Sequence, residues 1–196
     1  MSIFSLQKKG FTILESLISI SILSVAVTGP LVYVTSSLKA AEVARDQTIA
    51  FYLAQDAVEY IKNVRDNNAG LARGSWLAGL EDCFPSGSSI GCTIDTNNLA
   101  ITTEDCGAGP CDLMTRDGIG EDFSGYGYGT GGNWEDSPFT RTIKMENVAH
   151  DLGGFEDDNE EVKVTVTIEW TTRNNDRVVT VVENIFNLRN APDYEA

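Results

Sequence analysis

The sequence predicts an α+β fold: a long N-terminal α-helix, membrane-spanning in its first half and amphipathic in its second, packed on a small antiparallel β-sheet with a disulfide-bearing loop insert. Three observations predict it. Ser16 to Leu38 run 23 positions without a charge. Beyond them, small and apolar residues recur at steps of three and four as far as Val64. From Phe139 onward, two segments alternate apolar with polar residues, the period of a sheet with one covered face, and a third is β-rich.

The first element is the uncharged run. At helical rise it covers about 34 Å, more than the roughly 30 Å hydrocarbon layer of a bilayer. Lys8 and Lys9 precede it and no acid stands among the first ten residues. The positive-inside bias therefore places the N-terminus in the cytoplasm and everything after Leu38 outside. An ordinary cleaved secretory signal has a shorter apolar stretch and a small-residue site after it; here the helical pattern continues instead. Val43, Gln47, Ala50, Ala54, Ala57, Ile61 and Val64 form one stripe, with Glu42, Arg45, Asp46, Glu59 and Lys62 on other faces. The helix is expected from about Phe11 to Arg65, ending at Arg-Asp-Asn-Asn-Ala-Gly, where Asn67, Asn68 and Gly70 supply stop signals. Gly29-Pro30 is a predicted helix break, a kink or weak point, because proline removes a backbone donor and clashes with the preceding turn.

Glu15 is out of place ahead of an apolar run. A carboxylate costs about 2.5–3.5 kcal/mol at the centre of a bilayer and less at its edge. One reading keeps it at the cytoplasmic boundary, in reach of water and the lysines. The other begins at Gly10: a cut there removes both lysines and creates an α-amino group on Phe11. The amine of a neighbouring copy, shifted along the axis, would then neutralise this acid in apolar surroundings.

Beyond Gly70 the composition turns to Gly, Asp, Asn, Ser and Thr, which favours loops. Short strands are expected at Cys92–Ile94 and over 99–102, joined at Asn97-Asn98. The segment Gly-Glu-Asp-Phe-Ser-Gly-Tyr-Gly-Tyr-Gly-Thr-Gly-Gly-Asn-Trp reads as an exposed loop carrying Tyr126, Tyr128 and Trp134. Later, Phe139, Arg141, Ile143 and Met145 alternate with Thr140, Thr142 and Lys144. Val162, Val164, Val166, Ile168 and Trp170 alternate with Lys163, Thr165, Thr167 and Glu169. Arg177 to Leu188 is a third β-rich run, reached through a turn in Thr-Arg-Asn-Asn-Asp-Arg. The sheet is expected to be a meander of three or four strands.

Cys83, Cys92, Cys106 and Cys111 all follow the apolar run. An even count in loop-like, extracytoplasmic sequence suggests disulfides. Of three possible pairings, Cys83 with Cys92 and Cys106 with Cys111 closes the smallest loops; four free thiols and a four-cysteine zinc site are the alternatives.

Residues 81–196 carry seven Lys/Arg against twenty-three Asp/Glu, an excess of sixteen negative charges. Such a surface repels phosphate backbones, so direct nucleic-acid contact is not expected. No cofactor is expected. Asp157, Asn159 and Glu161, in an acidic stretch between two strands, have the oxygen chemistry for calcium but not the spacing of a known loop, and a solvated acidic turn is the simpler reading. No enzyme is expected either: His150 is the one histidine, and no nucleophile elbow, phosphate loop or zinc-helix motif occurs.

Lys-Lys-Gly followed by Phe-Thr-Ile-Leu-Glu-Ser-Leu-Ile-Ser-Ile-Ser-Ile-Leu resembles the class III prepilin signal of the type IV pilin and pseudopilin superfamily. The stretch from Phe51 to Asn68 is also similar to minor pilins and pseudopilins of the PilV-like and type II secretion I-like kinds. The resemblance implies cleavage by prepilin peptidase between Gly10 and Phe11, N-methylation of Phe11, and assembly through Glu15 into a filament. It also implies an inner-membrane assembly platform and other pilin subunits as partners, and a filament outside the cell as destination. The implied organisation is a leader at 1–10, a transmembrane and assembly helix at 11–38, an amphipathic helix at 39–68 and an extracytoplasmic β-rich domain at 69–196. The resulting expectation is a minor pilin or pseudopilin, with a filament-displayed or membrane-anchored binding module as the alternative. Adhesion, motility, DNA uptake and secretion all use such a helix.

Overall fold

The computed structural model describes residues 10–70, 75–97, 103–117, 125–128, 134–148 and 161–188. Two compact units divide the chain, Met1–Arg45 and Asp46–Ala196. Helix α1, Ile13–Gly70, contributes to both.

In the first unit the helix carries apolar side chains on every face. Thirteen large hydrophobics from Ile13 to Val34 are solvent-exposed within the isolated chain. Helical structure runs through Gly29 and Pro30. The proline removes one donor, the bond that would run to the Ala26 carbonyl, and the flanking turns keep the rest of the ladder.

In the second unit α1 becomes one-sided. Ala50, Ala54, Ala57 and Ile61 are fully buried, and Leu53, Val58 and Val64 nearly so. Gln47, by contrast, is exposed and Val43 only half-buried, so the buried stripe begins at Ala50, two steps later than the sequence pattern suggests. The helix ends at Gly70, within the expected Arg-Asp-Asn-Asn-Ala-Gly stop, and the Asn68 amide donates to the carbonyls of Trp76 (3.3 Å) and Ala78 (3.0 Å), holding the following segment against the helix.

The sheet has seven strands, not three or four: β1 Cys92–Ile94, β2 Thr103–Asp105, β3 Leu113–Asp117, β4 Gly125–Gly127, β5 Trp134–Asn147, β6 Glu161–Thr172 and β7 Asn175–Phe186. All pairings are antiparallel. Strand β5 is its spine: one edge pairs with β6 from Phe139↔Trp170 to Asn147↔Val162, and the other is shared between β3 and β1. Strand β7 continues from β6, and β2 and β4 are the outer partners of β1 and β3.

The alternations read from the sequence appear as burial. Phe139, Arg141, Ile143 and Met145 point inward from β5, and Val162, Val164, Val166, Ile168 and Trp170 from β6. Together with Ile185 and the helix stripe, the apolar members form one core. Fully burying a Val, Leu, Ile, Phe or Met stabilises by about 1.5–3 kcal/mol relative to leaving it in water. The hairpin between β6 and β7 turns on Arg173 (φ 52°) and Asn174 (φ 65°), a two-residue connection with both φ positive that matches strand twist.

Strands β3 and β4 come from sequence that reads as loop. Tyr126 and Tyr128 pack on the core, Tyr126 edge-on to Phe139 at 5.8 Å. Asn97 donates through its side chain to the Tyr126 carbonyl, and its own amide is held by the Asp95 carboxylate, so this residue secures β4 rather than merely turning the chain. Gly91 is needed: at φ +148°, a side chain there would strike the Ile143 carbonyl. The strand expected over 99–102 lies outside the described residues, as do Lys8, Lys9 and His150; β2 begins just beyond it.

Candidate functional site

The site is built on the first turn of α1. Thr12 precedes the helix, and its Oγ1 accepts a hydrogen bond from the Glu15 amide at 3.2 Å. Thr-Ile-Leu-Glu has the spacing of a capping box, which fixes where the helix starts and places the acid in its first turn, at the positive end of the helix dipole. Among the described residues the Glu15 carboxylate has no hydrogen-bonding or ionic partner. Phe11 is 77% exposed, and a side chain at Gly10 would meet nothing within 4 Å. Folding therefore places no steric requirement for glycine at position 10.

The hydroxyls along this segment are turned inward. Ser16, Ser19, Ser21, Ser24 and Thr28 each donate to the carbonyl four residues earlier, at 2.7–3.2 Å, and Thr35 donates to Val32 at 2.9 Å. Each such bond satisfies a polar group within its own helix, the condition that a hydrocarbon layer imposes. The helix is long and apolar enough to cross a membrane. A contiguous exposed apolar surface of this extent is not stable in water and needs a lipid or protein neighbour.

A second constellation lies in the other unit. Arg141 is fully buried, its Nη1 donating to the Leu53 carbonyl (3.1 Å) and to Asp56 (3.3 Å), and its Nη2 to the Ile94 carbonyl. One guanidinium thus ties α1, β1 and β5 together. Burial raises the Tyr128 pKa, the nearby Arg141 pulling the other way, so the phenol stays neutral. The signal for this anchor was present in the sequence: an arginine in an otherwise apolar alternation has to find acceptors or face a large desolvation cost.

The cysteines form Cys83–Cys92 and Cys106–Cys111, with Cα separations of 4.6 and 4.7 Å. Both lie beside β1 and β2. The Cys83–Cys92 bridge is buried and ties the short 3₁₀ turn Glu81–Cys83 to β1. Of the three residues considered for calcium, Asp157 and Asn159 lie outside the described residues, while Glu161 accepts a hydrogen bond from Asn184 at 2.6 Å. Among the described residues no group of three metal-binding side chains occurs. A concavity of about 410 Å³ lies beside Pro138, Thr140, Glu169, Trp170 and Arg177, and on its wall the Thr171 hydroxyl donates to the Asp176 carboxylate at 2.8 Å.

Residues 5–29 match the family model described as the prokaryotic N-terminal methylation motif. The matched span contains Gly10, Phe11, Glu15 and Gly29. No curated protein and no solved structure matches the chain.

Proposed function

We propose that this chain, which carries a type IV pilin-like class III signal, is the precursor of a minor pilin or pseudopilin that enters a type IV pilus-like filament. The supporting observation is a helix apolar on all faces, with its hydroxyls closed on its own backbone and a lone carboxylate in its first turn. Residues 1–10 are the leader. Prepilin peptidase cuts after Gly10 on the cytoplasmic side, and the new Phe11 amine is methylated. The helix holds the subunit in the membrane with its N-terminus inside. Glu15 then takes the Phe11 amine of an adjoining subunit, which neutralises both charges away from water and sets the register of entry. The role is structural rather than catalytic.

N-terminal sequencing and mass spectrometry of the chain from its native membrane test this. The expected mature form begins with N-methylated Phe11. Peptides running unbroken from Lys9 through Phe11 as the sole form would overturn the proposal.

A further inference from the structure

Among the described residues, strand β7 is an edge of the sheet. Its only partner among the described residues is β6. Twelve residues long, it contains no proline, and Val178, Val182 and Phe186 are 59%, 55% and 53% exposed. Natural sheets usually guard such an edge with bulges, prolines or lysines.

The register shows which backbone groups are open. Thr172 and Asn175 close the two-residue hairpin as a hydrogen-bonded pair, so Arg177, Val179, Val181, Glu183 and Ile185 bond to β6. The alternate residues Asp176, Val178, Thr180, Val182 and Asn184 turn their N–H and C=O groups to the outside. The sequence across this stretch is Asp-Arg-Val-Val-Thr-Val-Val-Glu-Asn, which is complementary to itself about Thr180. Running antiparallel to an identical strand, it sets Arg177 against Glu183, Asp176 against Asn184, Val178 against Val182, and Thr180 against Thr180. Moving the axis one residue either way faces Arg177 with Val181 or Ile185 and removes the charge match. Opposite charges and β-branched pairs directly across two strands are the combinations that stabilise a sheet.

We propose that β7 is a self-association edge whose occupant is the β7 of a second copy of this chain, joined antiparallel about a two-fold axis through Thr180. The contact extends the sheet across two subunits through up to about ten backbone hydrogen bonds. Glu183, already paired with Lys62, presents its second oxygen to the partner's arginine. The charge pairs choose the register, and the backbone ladder and the valines hold it. A two-fold contact cannot link successive subunits of a polar filament, whose contacts are head-to-tail. It therefore joins subunits still held in the membrane, and is separate from entry through Glu15.

Cysteine cross-linking of the full chain in its native membrane tests this. Under mild oxidation, Thr180→Cys should give a reductant-sensitive dimer. Val178→Cys or Val182→Cys alone should cross-link at least about fivefold less, because the like residues sit four positions apart, whereas the two expressed together should form the mixed dimer. Arg177→Glu should reduce the Thr180→Cys dimer by a similar factor, and adding Glu183→Arg should restore it. Glu15→Ala should leave the dimer intact, which separates this contact from the filament reading. Equal cross-linking at 178, 180 and 182, no dimer at 180, loss of the dimer with Glu15→Ala, or indifference to Arg177→Glu would each overturn it.

Discussion

Helix α1 is one element with two different surfaces. From Ile13 to about Leu38, large apolar side chains face outward in all directions; from Ala50 to Val64, the apolar positions are concentrated on one stripe and are buried. The backbone is the same in both stretches, so the difference lies in what each is built to touch. The second stretch finds its partner within its own chain, on β5 and β6. The first carries no partner within the described residues, and its stability must come from molecules around it. Alanines at 50, 54 and 57 belong to the stretch that packs closely on a sheet, while the first stretch has bulky Leu, Ile and Val at equivalent spacing.

Glu15→Ala breaks the first region and should spare the second. A pairing worth even ~1.4 kcal/mol changes occupancy tenfold, so incorporation into sheared filaments, read by immunoblot, should fall about tenfold or more. Cleavage after Gly10 should continue, and thermal unfolding of the head, the unit Asp46–Ala196, should not move. A variant that assembles normally would remove the electrostatic account of entry.

Arg141→Ala does the reverse. It leaves the Ile94 and Leu53 carbonyls short of a donor in a closed core and opens a cavity, which should cost about 3 kcal/mol. For a head of this size that lowers the thermal midpoint by about 6–12 °C. Membrane insertion and processing of the N-terminal segment should be unaffected.

Reduction of the disulfides sharpens the picture within the head. Loops closed over separations of 9 and 5 residues correspond to about 2–3 kcal/mol each on loop entropy alone. Cys83 and Cys92 are fully buried whereas Cys106 is half-buried. Timed alkylation under graded reductant should therefore label Cys106 and Cys111 first.

The smallest effect belongs to Glu146, on the exposed face of β5. Hydrogen bonds from Lys144 and Lys163 hold its pKa down to about 2, against an ordinary value of 4.5. A depressed folded-state pKa gives stability that is present above about pH 4.5 and is lost as the pH falls toward 2. Glu146→Gln should lower the denaturant midpoint slightly at pH 7, leave it unchanged near pH 2 and flatten its pH dependence in between. A shift of equal size at pH 7 and pH 2 would assign the cluster another role.

The sequence disclosed the elements whose side chains have a strong period. The helix stripe and the inward faces of β5 and β6 are legible because burial repeats every 3.6 or every two residues over a long run. Strands β3 and β4 are not. They are short and flanked by glycine, and they form because Asn97 and β5 supply partners that no local window contains. Proline at 30 carries a real intrinsic helix penalty, but one missing bond inside a 58-residue helix does not end it. The glutamate at position 15 stands out by its charge, whereas the capping box that holds it, Thr12 with Glu15, is written in plain spacing and is easily passed over beside the apolar run. The sequential disulfide pairing closes the smallest loops and is the pairing found.

The inward-turned hydroxyls carry a mechanical consequence. With Ser16, Ser19, Ser21, Ser24, Thr28 and Thr35 closed on their own backbone, these hydroxyls form no latch that has to be undone when the helix exchanges one apolar neighbour for another. On the proposed assembly, sliding along the axis would then meet little resistance at these positions, with the Glu15 carboxylate as the charged stop.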